Sequence, residues 1–339
     1  MYRPLADEGV MRRLISAAGA APSIHNTQPW RFRVAGYDLL EVHGEPDRML
    51  WVADPRGRGM HLSCGAALFN LRLAIRVTGG KGLVWPLPDP ATEPTLLASV
   101  QLAAGRPPTW HERVLFESIW QRHTSRAPFS GLRLSDTVRR ALEQAAAAEF
   151  VTLRMLDDSD AATVLQLAAA AEEELAKDFD HRVELCRWVG TEGDEGVPAA
   201  ALGSRPGRVP APVRDFGYAS PTNPRPSGNY ELLPQLAVLA TARDDPADWL
   251  RAGQALQRVL LTATANGAAA SFLYQPMELH DVRQTEGAWW PWPECPQIVI
   301  RLGYGPRGAE SPRRPVADTV DRSAAPGSPL ASGKERDAS

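Results

Sequence analysis

Apolar residues recur with two different periods along this chain, and together they predict alternating helices and strands. A helical period spans residues 8 to 20, where Val10, Leu14, Ile15 and Ala18 would form one buried face. Shorter runs, apolar or alternating with polar residues, predict strands at Arg31–Val34, Leu39–His43, Leu97–Leu102, Val151–Met155 and Gln297–Leu302.

Capping residues mark the ends of three further helices. Gly65–Val77 forms a buried helical pattern that stops at Gly79-Gly80, because glycine readily adopts the left-handed conformation of a helix C-terminus. Ser135-Asp136 opens a helix that runs to about residue 148. Asp245-Pro246 opens another, with an aspartate cap and a proline in the first turn, and Asn266-Gly267 ends it.

The two halves of the chain carry a weak internal repeat. Gly65-Ala66-Ala67-Leu68 matches Gly253-Gln254-Ala255-Leu256 at an offset of 188 residues. Arg12-Arg13-Leu14 matches Arg139-Arg140-Ala141 at an offset of 127 residues. The offsets differ by 61 residues, so the second half contains about that much additional material.

The additional material predicts how the chain is divided. It includes a long helical pattern near Asp160–Trp188 and a Gly/Pro-rich segment, 190–228, which we interpret as a lid or an arm. We expect a first half at residues 1–112 and a second half at 113–316, with an insertion at about 157–230. Residues 317–339 contain almost no large apolar side chains, which predicts a disordered tail.

Composition excludes several classes of function. The formal charge of −3 and the pI near 6.2 give no electrostatic basis for binding nucleic acid or an anionic membrane. No apolar run approaches the length of a bilayer span. The three cysteines are far apart and the seven histidines show no metal-ligand spacing, so we predict neither a disulfide framework nor a metal site, and a cytoplasmic location.

The run Ala21–Val34, with the sequence APSIHNTQPWRFRV, is the most distinctive part of the chain. It closes a helix, turns through small and hydroxyl residues and begins a strand. Such a turn offers backbone N–H groups, the Ser23 hydroxyl and the Asn26 amide to a planar ligand with several hydrogen-bonding atoms. An Asx or Ser turn that only links a helix to a strand is the alternative interpretation.

A basic run, Arg122-His123-Thr124-Ser125-Arg126, places two guanidinium groups and a hydroxyl within five residues. A phosphate monoester needs donors of this kind. The alternative is a helix end whose basic residues complement the helix dipole. Arg313-Arg314 form a second basic pair after the last strand, for which a solvated basic turn is equally open.

Ala21–Val34 closely resembles the APS-x-x-N-x-QPW-x-F segment of the nitroreductase superfamily, and the run at 122–126 is similar to the phosphate-binding entry of that family. The run 267–276 resembles the family segment that presents backbone N–H groups to flavin N5 and O4, and Gln275–Glu278 is similar to the Acg-like branch. The resemblance covers roughly residues 8 to 316. It implies an α+β fold with antiparallel or mixed sheets flanked by helices, arranged as an intrachain pseudo-dimer of two fused halves.

The resemblance also implies an FMN site between the halves. Pro22, Ser23 and Asn26 would contact the ring or ribityl groups. The remaining implied contacts are the phosphate-side residues Arg122, His123, Thr124, Arg126, Arg313 and Arg314, and the N5-side residues Tyr274 and Gln275. The second half has Glu149-Phe150-Val151 in place of the ring turn, and the first half has no comparable arginine cluster, so one FMN per chain is expected.

The function implied is NAD(P)H-dependent hydride transfer, by a ping-pong mechanism, to a nitroaromatic, a quinone or a similar small acceptor. Flavin N5 would carry the hydride, so no catalytic side chain is expected. A monomeric pseudo-dimer is predicted, and further dimerisation is left open. The alternative is a flavoprotein that sequesters, stores or senses FMN with little turnover, because the additional 61 residues could cover the cofactor.

Overall fold

Each half of the chain forms an antiparallel sheet with helices packed against it. The structure, a computed structural model, describes residues 4–207, 213–217, 225–278 and 290–321. The first half contains α1 (Glu8–Gly19), β1 (Trp30–Val34), β2 (Leu39–Gly44), α2 (Arg58–Val77), β3 (Gly80–Pro86), β4 (Leu96–Ala104) and α3 (Trp110–Ser118). Its four strands lie in the order β1-β2-β4-β3, with every neighbouring pair antiparallel.

The second half repeats this arrangement. It contains α4 (Asp136–Ala147), β5 (Thr152–Met155), α5 (Asp158–Lys177), α6 (Phe179–Trp188), β6 (Arg205–Pro206), β7 (Ser227–Gly228), β8 (Gln235–Thr241), α7 (Pro246–Ala265), β9 (Ala269–Leu273), α8 (Gln275–Glu278) and β10 (Cys295–Gly303). Its main sheet has the order β5-β8-β10-β9, again antiparallel throughout. If β1, β2, β3 and β4 correspond to β5, β8, β9 and β10, the two orders are the same. The predicted α+β pseudo-dimer is therefore confirmed.

The halves are joined through α2 and α7, which approach each other at a pair of glycines. A Cβ atom added to Gly65 would lie 2.2 Å from the carbonyl oxygen of Leu250, and one added to Gly253 would lie 2.1 Å from that of Leu62. Both pairs are related by the 188-residue offset, so the contact is self-complementary, like that of a two-fold dimer. The cores also interlock, because Leu250 packs in the first-half core and Leu62 in the second-half core.

The insertion is built differently from its sequence pattern. The helical stretch near Asp160–Trp188 is two helices, α5 and α6, separated at Asp178. The Asp178 side chain caps α6 by accepting hydrogen bonds from the backbone N–H groups of Asp180 and His181. Parts of the predicted lid, 208–212 and 218–224, lie outside the described residues. Its described parts include β6 and β7, which pair in parallel.

The C-terminal end corrects two boundaries. Residues 317–321 belong to α9 (Val316–Thr319) and β11 (Val320–Asp321), and β11 pairs in parallel with β1 of the first half. The order predicted to be absent from 317 onward is therefore present as far as Asp321, and 322–339 lie outside the described residues. The division predicted at 112/113 falls inside α3. In the part of the chain described, no helix combines the length and the apolar character that crossing a membrane requires.

The glycine contact between α2 and α7 yields a stability prediction. Gly65→Ala and Gly253→Ala should each lower the free energy of unfolding by about 1–3 kcal/mol, because the added methyl group meets backbone that cannot rotate away. Gly131→Ala is the matched control, since a Cβ atom there meets nothing within 4 Å. Urea denaturation of the three variants measures the effect. Equal midpoints for all of them would contradict a close helix contact.

Candidate functional site

A cavity lies at the seam between the two halves and contains about 740 Å³ of empty space, part of it open to solvent. Its walls come from the turn after α1, from α2, from the second half and from the insertion. The lining residues are Pro22, Ser23, Ile24, His25, Leu62, Ser63, Thr124, Arg126, Arg214, Phe216, Leu256, Phe272, Tyr274, Gln275 and Ile298. We call this the seam cavity. Its size is in the range of small-molecule sites, and most of its walls are apolar.

The turn from α1 enters the cavity in a strained conformation. His25, Asn26 and Gln28 have φ angles of 47°, 56° and 49°, in the left-handed region that side chains other than glycine rarely adopt. The Ser23 hydroxyl holds the turn by accepting a hydrogen bond from the Gln28 backbone N–H at 2.9 Å. Three left-handed residues in four positions cost free energy that the contacts around the turn must offset.

Asn26 takes a different place from the one implied for it. Its side-chain amide donates to the carbonyl oxygens of Gly196 and Pro312 at 2.9 and 3.0 Å, and its Oδ1 accepts from Arg313 at 3.0 Å. Asn26 is not among the residues that line the seam cavity. The structure thus uses this residue to join the turn to the insertion and to the C-terminal segment.

A second cavity, of about 680 Å³, adjoins the first, and the two share Thr124 and Phe272. We call it the basic cavity. Gln121, Arg122, His123 and Arg307 contribute its polar side chains. The predicted residues Arg122, His123 and Thr124 therefore lie together here, while Arg126 lines the seam cavity.

Arg122 and Arg126 carry buried positive charge without a carboxylate partner among the described residues. Burial and the neighbouring Arg313 lower the pKa of Arg122 to about 9, and its Nε atom has no hydrogen-bond partner there. Burial and Arg214 lower the pKa of Arg126 to about 10. The Arg126 guanidinium donates to the Ala201 carbonyl at 2.8 Å. A buried cation left in this condition is costly unless an anion joins it.

The two C-terminal arginines separate in role. Arg313 lies near Arg122 and donates to Asn26 and to backbone carbonyls, and burial lowers the pKa of Arg313 to about 10. Arg314 instead forms an ion pair with Glu45, and its backbone N–H donates to the side chain of Gln28. Arg313 fits the predicted phosphate side, whereas Arg314 holds the C-terminal segment against the first half.

Tyr274 and Gln275 line the seam cavity, as predicted, at the point where β9 passes into α8. The Tyr274 hydroxyl accepts a hydrogen bond from Arg58 at 2.9 Å, and Arg58 also donates to the backbone of Gln297. Arg58 is buried at the start of α2, so the first half fixes this side chain of the second half. Nothing in the local sequence around Arg58 indicates the contact.

The insertion reaches the seam cavity through Arg214 and Phe216. Arg214 forms a two-pronged ion pair with Glu278, at 2.7 and 2.9 Å, and its Nε lies 3.1 Å from Glu172. Burial by itself would raise the pKa of Glu278, but Arg214 and a hydrogen bond from His181 outweigh it and lower the value to about 2. Sequence patterns missed this network because its members come from four separate segments.

Comparison with known proteins decides the family. No protein-family model matches the chain. It is 32% identical over 314 residues to a protein of Mycobacterium tuberculosis provisionally named NAD(P)H nitroreductase acg, covering 91% of this chain and 94% of that one. The chain belongs to the Acg-type nitroreductase family. A second relative from this organism, provisionally named NAD(P)H nitroreductase MT3217, is 32% identical over 327 residues, covering 93% and 92% of the two chains.

Solved nitroreductase structures are more distant from this family member. One from Anabaena variabilis covers 88% of each chain, with 10% identity and a TM-score of 0.45. The FMN-dependent nitroreductase NfnB of Mycobacterium smegmatis, in complex with NADPH, covers 62% of this chain and is itself covered to 98%, with 14% identity and a TM-score of 0.36. Scores of this size do not establish a shared fold, so the family assignment depends on the sequence relatives.

The Glu278 ion pair yields a pH prediction. Its carboxylate has a pKa of about 2 in the folded chain, below its usual 4.5, so its contribution to stability is complete above pH 4.5 and is lost as the pH falls toward 2. Glu278→Gln should therefore lower the free energy of unfolding by about 3 kcal/mol at pH 7, and by much less near pH 2. Urea denaturation across this range measures the difference.

Asp158→Asn provides the control for Glu278→Gln. Its partner is Arg133, and both side chains are more than half exposed, so this change should have little effect at any pH. A Glu278→Gln deficit that stays constant from pH 7 to pH 2 would contradict the depressed pKa.

Proposed function

We propose that this chain is an FMN-binding oxidoreductase that uses NAD(P)H to reduce a small acceptor such as a nitroaromatic compound or a quinone. One observation carries the proposal. A largely apolar cavity at the seam adjoins a basic cavity in which Arg122 is buried without a carboxylate partner among the described residues. A flat, largely apolar ring with a charged phosphate at its other end matches that pair of cavities.

The residues present fit FMN at both ends. In the basic cavity, Arg122 and nearby Arg313 would hold the phosphate, and Thr124 lies where the two cavities meet. The orphaned Nε of Arg122 is a donor without an acceptor, which a phosphate oxygen would supply. At the other end, Pro22, Ser23 and Phe272 would enclose the ring, and the backbone at Tyr274 and Gln275 would face its N5 edge.

The chemistry follows from that placement. Bound FMN would supply hydride transfer at N5, so the protein needs no nucleophile. NAD(P)H and the acceptor would enter the seam cavity in turn, as a ping-pong mechanism requires. Arg126 lies on the cavity wall and would stabilise negative charge that develops on the reduced ring. The apolar walls would exclude water from the reacting atoms.

One FMN per chain is proposed, because the pseudo-symmetric position is occupied by other chemistry. Glu149 corresponds to Pro22 at the 127-residue offset, and its carboxylate is buried between Arg72 and Arg258, at 2.7 and 3.0 Å. These charges compensate one another within the protein. No anion is needed there, in contrast to Arg122.

A second candidate function is FMN sequestration with little turnover. It is favoured by Arg214 and Phe216, which carry the insertion onto the wall of the seam cavity. The ion pair of Arg214 with Glu278 would hold that wall in place. An insertion that stays closed would retain FMN and exclude the nicotinamide.

An anaerobic visible spectrum, taken before and after NADPH is added, separates the two functions. The oxidoreductase should show a flavin band that bleaches rapidly with NADPH. A band that persists with NADPH but bleaches with dithionite would favour sequestration. No flavin band after reconstitution with FMN would contradict both.

A second prediction tests the phosphate side. Arg122→Met should weaken FMN binding by about 10- to 100-fold, because a charge-assisted hydrogen bond is lost. Binding of riboflavin, which lacks the phosphate, should change little. Fluorescence titration with both ligands measures this, with Arg133→Met, at an exposed site, as control. Equal losses for both ligands would contradict the phosphate assignment.

A further inference from the structure

The polar side chains of the turn at the seam cavity are largely engaged in holding the turn. Ser23 accepts from the Gln28 backbone, and Asn26 joins the turn to Gly196 and Pro312. The Gln28 amide donates to the Asp194 carbonyl at 2.7 Å. Asn26 and Gln28 are thus committed to neighbouring segments, and Ser23 retains only its hydroxyl proton for a ligand.

His25 differs from these neighbours. Its side chain lines the seam cavity, and its Nε2 atom is buried with no hydrogen-bond partner among the residues described. Its backbone is left-handed, with φ 47° and ψ 23°. Strain of this kind persists where the surrounding structure enforces it, and it is concentrated at ligand-contacting positions.

The imidazole is held in place and kept neutral by what surrounds it. Phe216 packs edge-on against the ring, with centroids 6.0 Å apart and an interplanar angle of 84°. Burial, together with the positive charges of Arg214 and Arg126, lowers the pKa of His25 to about 3. At neutral pH the ring therefore has one N–H donor and one acceptor nitrogen, and adds no charge to a cavity that already contains Arg126.

We propose that the imidazole of His25 hydrogen-bonds a polar edge atom of the isoalloxazine ring and so selects for flavin in the seam cavity. This inference rests on the proposed FMN site and adds a residue to it. The isoalloxazine edge presents carbonyl oxygens, ring nitrogens and one N–H group. A neutral imidazole can complement either kind of atom, whereas the committed amides of Asn26 and Gln28 cannot turn toward it.

The test compares His25→Phe with His25→Gln. Phenylalanine keeps an aromatic ring against Phe216 but has no polar atom, and glutamine keeps a hydrogen-bonding group at a similar reach. His25→Phe should weaken the binding of FMN and of riboflavin by the same factor, about 10-fold, and should shift the visible absorption of the bound flavin. His25→Gln should stay within about 3-fold of the original affinity and restore the spectrum.

The measurements are fluorescence titration and visible absorption, with thermal unfolding of each ligand-free variant as a check on folding. Unchanged affinity and spectrum in His25→Phe would overturn the inference while leaving the FMN site intact. Equal losses in both variants would also overturn it, since they would show that the ring's shape matters rather than its nitrogen. A loss for FMN but not for riboflavin would place the effect at the phosphate and reject the ring contact. Failure of the unaltered protein to bind either flavin would instead reject the proposed function itself.

Discussion

The close contact between α2 and α7 is the constraint on which the site depends. At Gly65 and Gly253 there is no room for a Cβ atom, so the two helices touch through backbone. That approach places the start of α2, with Arg58 and Ser63, directly beside the second-half sheet. The turn that follows α1 is thereby brought against Thr124 and Tyr274. The seam cavity has walls from both halves and would not exist in either half alone.

Buried charge in this protein falls into two classes, and the difference between them bears on function. Arg214 is enclosed by Glu278 and Glu172, and Arg314 by Glu45, so these guanidinium groups are neutralised by the protein. Arg122 and Arg126 have no carboxylate partner in the described segments, although burial lowers the pKa of both. In a medium of low dielectric an uncompensated charge is costly, which gives an anionic ligand a large part of its binding free energy.

Local signals in the sequence predicted the elements that local physics determines. The Asp245-Pro246 cap and the left-handed Gly79 mark real helix ends, and the 188-residue repeat identified the two helices that form the seam. The strands β3 and β8 and the helix α3 were not predicted. β3 is a partly exposed edge strand that begins with glycine, so its apolar pattern is weak.

The predicted site was correct in location but incomplete in its contacts. Pro22, Ser23, Arg126, Tyr274 and Gln275 do meet at one cavity. Asn26 does not line it, because the motif specifies a turn and the partners of the turn come from residues 196 and 312. Such long-range contacts leave no trace in the local sequence. The same reason explains why the approach of the insertion to the cavity could be proposed only in outline.

The fused halves also explain why the two seam positions differ. A dimer of identical subunits must build two equivalent sites, since every residue appears twice. Fusion removes that requirement, and each position can then acquire its own charges. At one position Glu149 neutralises Arg72 and Arg258 within the protein. At the other, Arg122 and Arg126 are left for a ligand to neutralise, and the insertion approaches this position through Arg214 and Phe216. The asymmetry of charge compensation, more than the asymmetry of shape, identifies which of the two positions binds an anion.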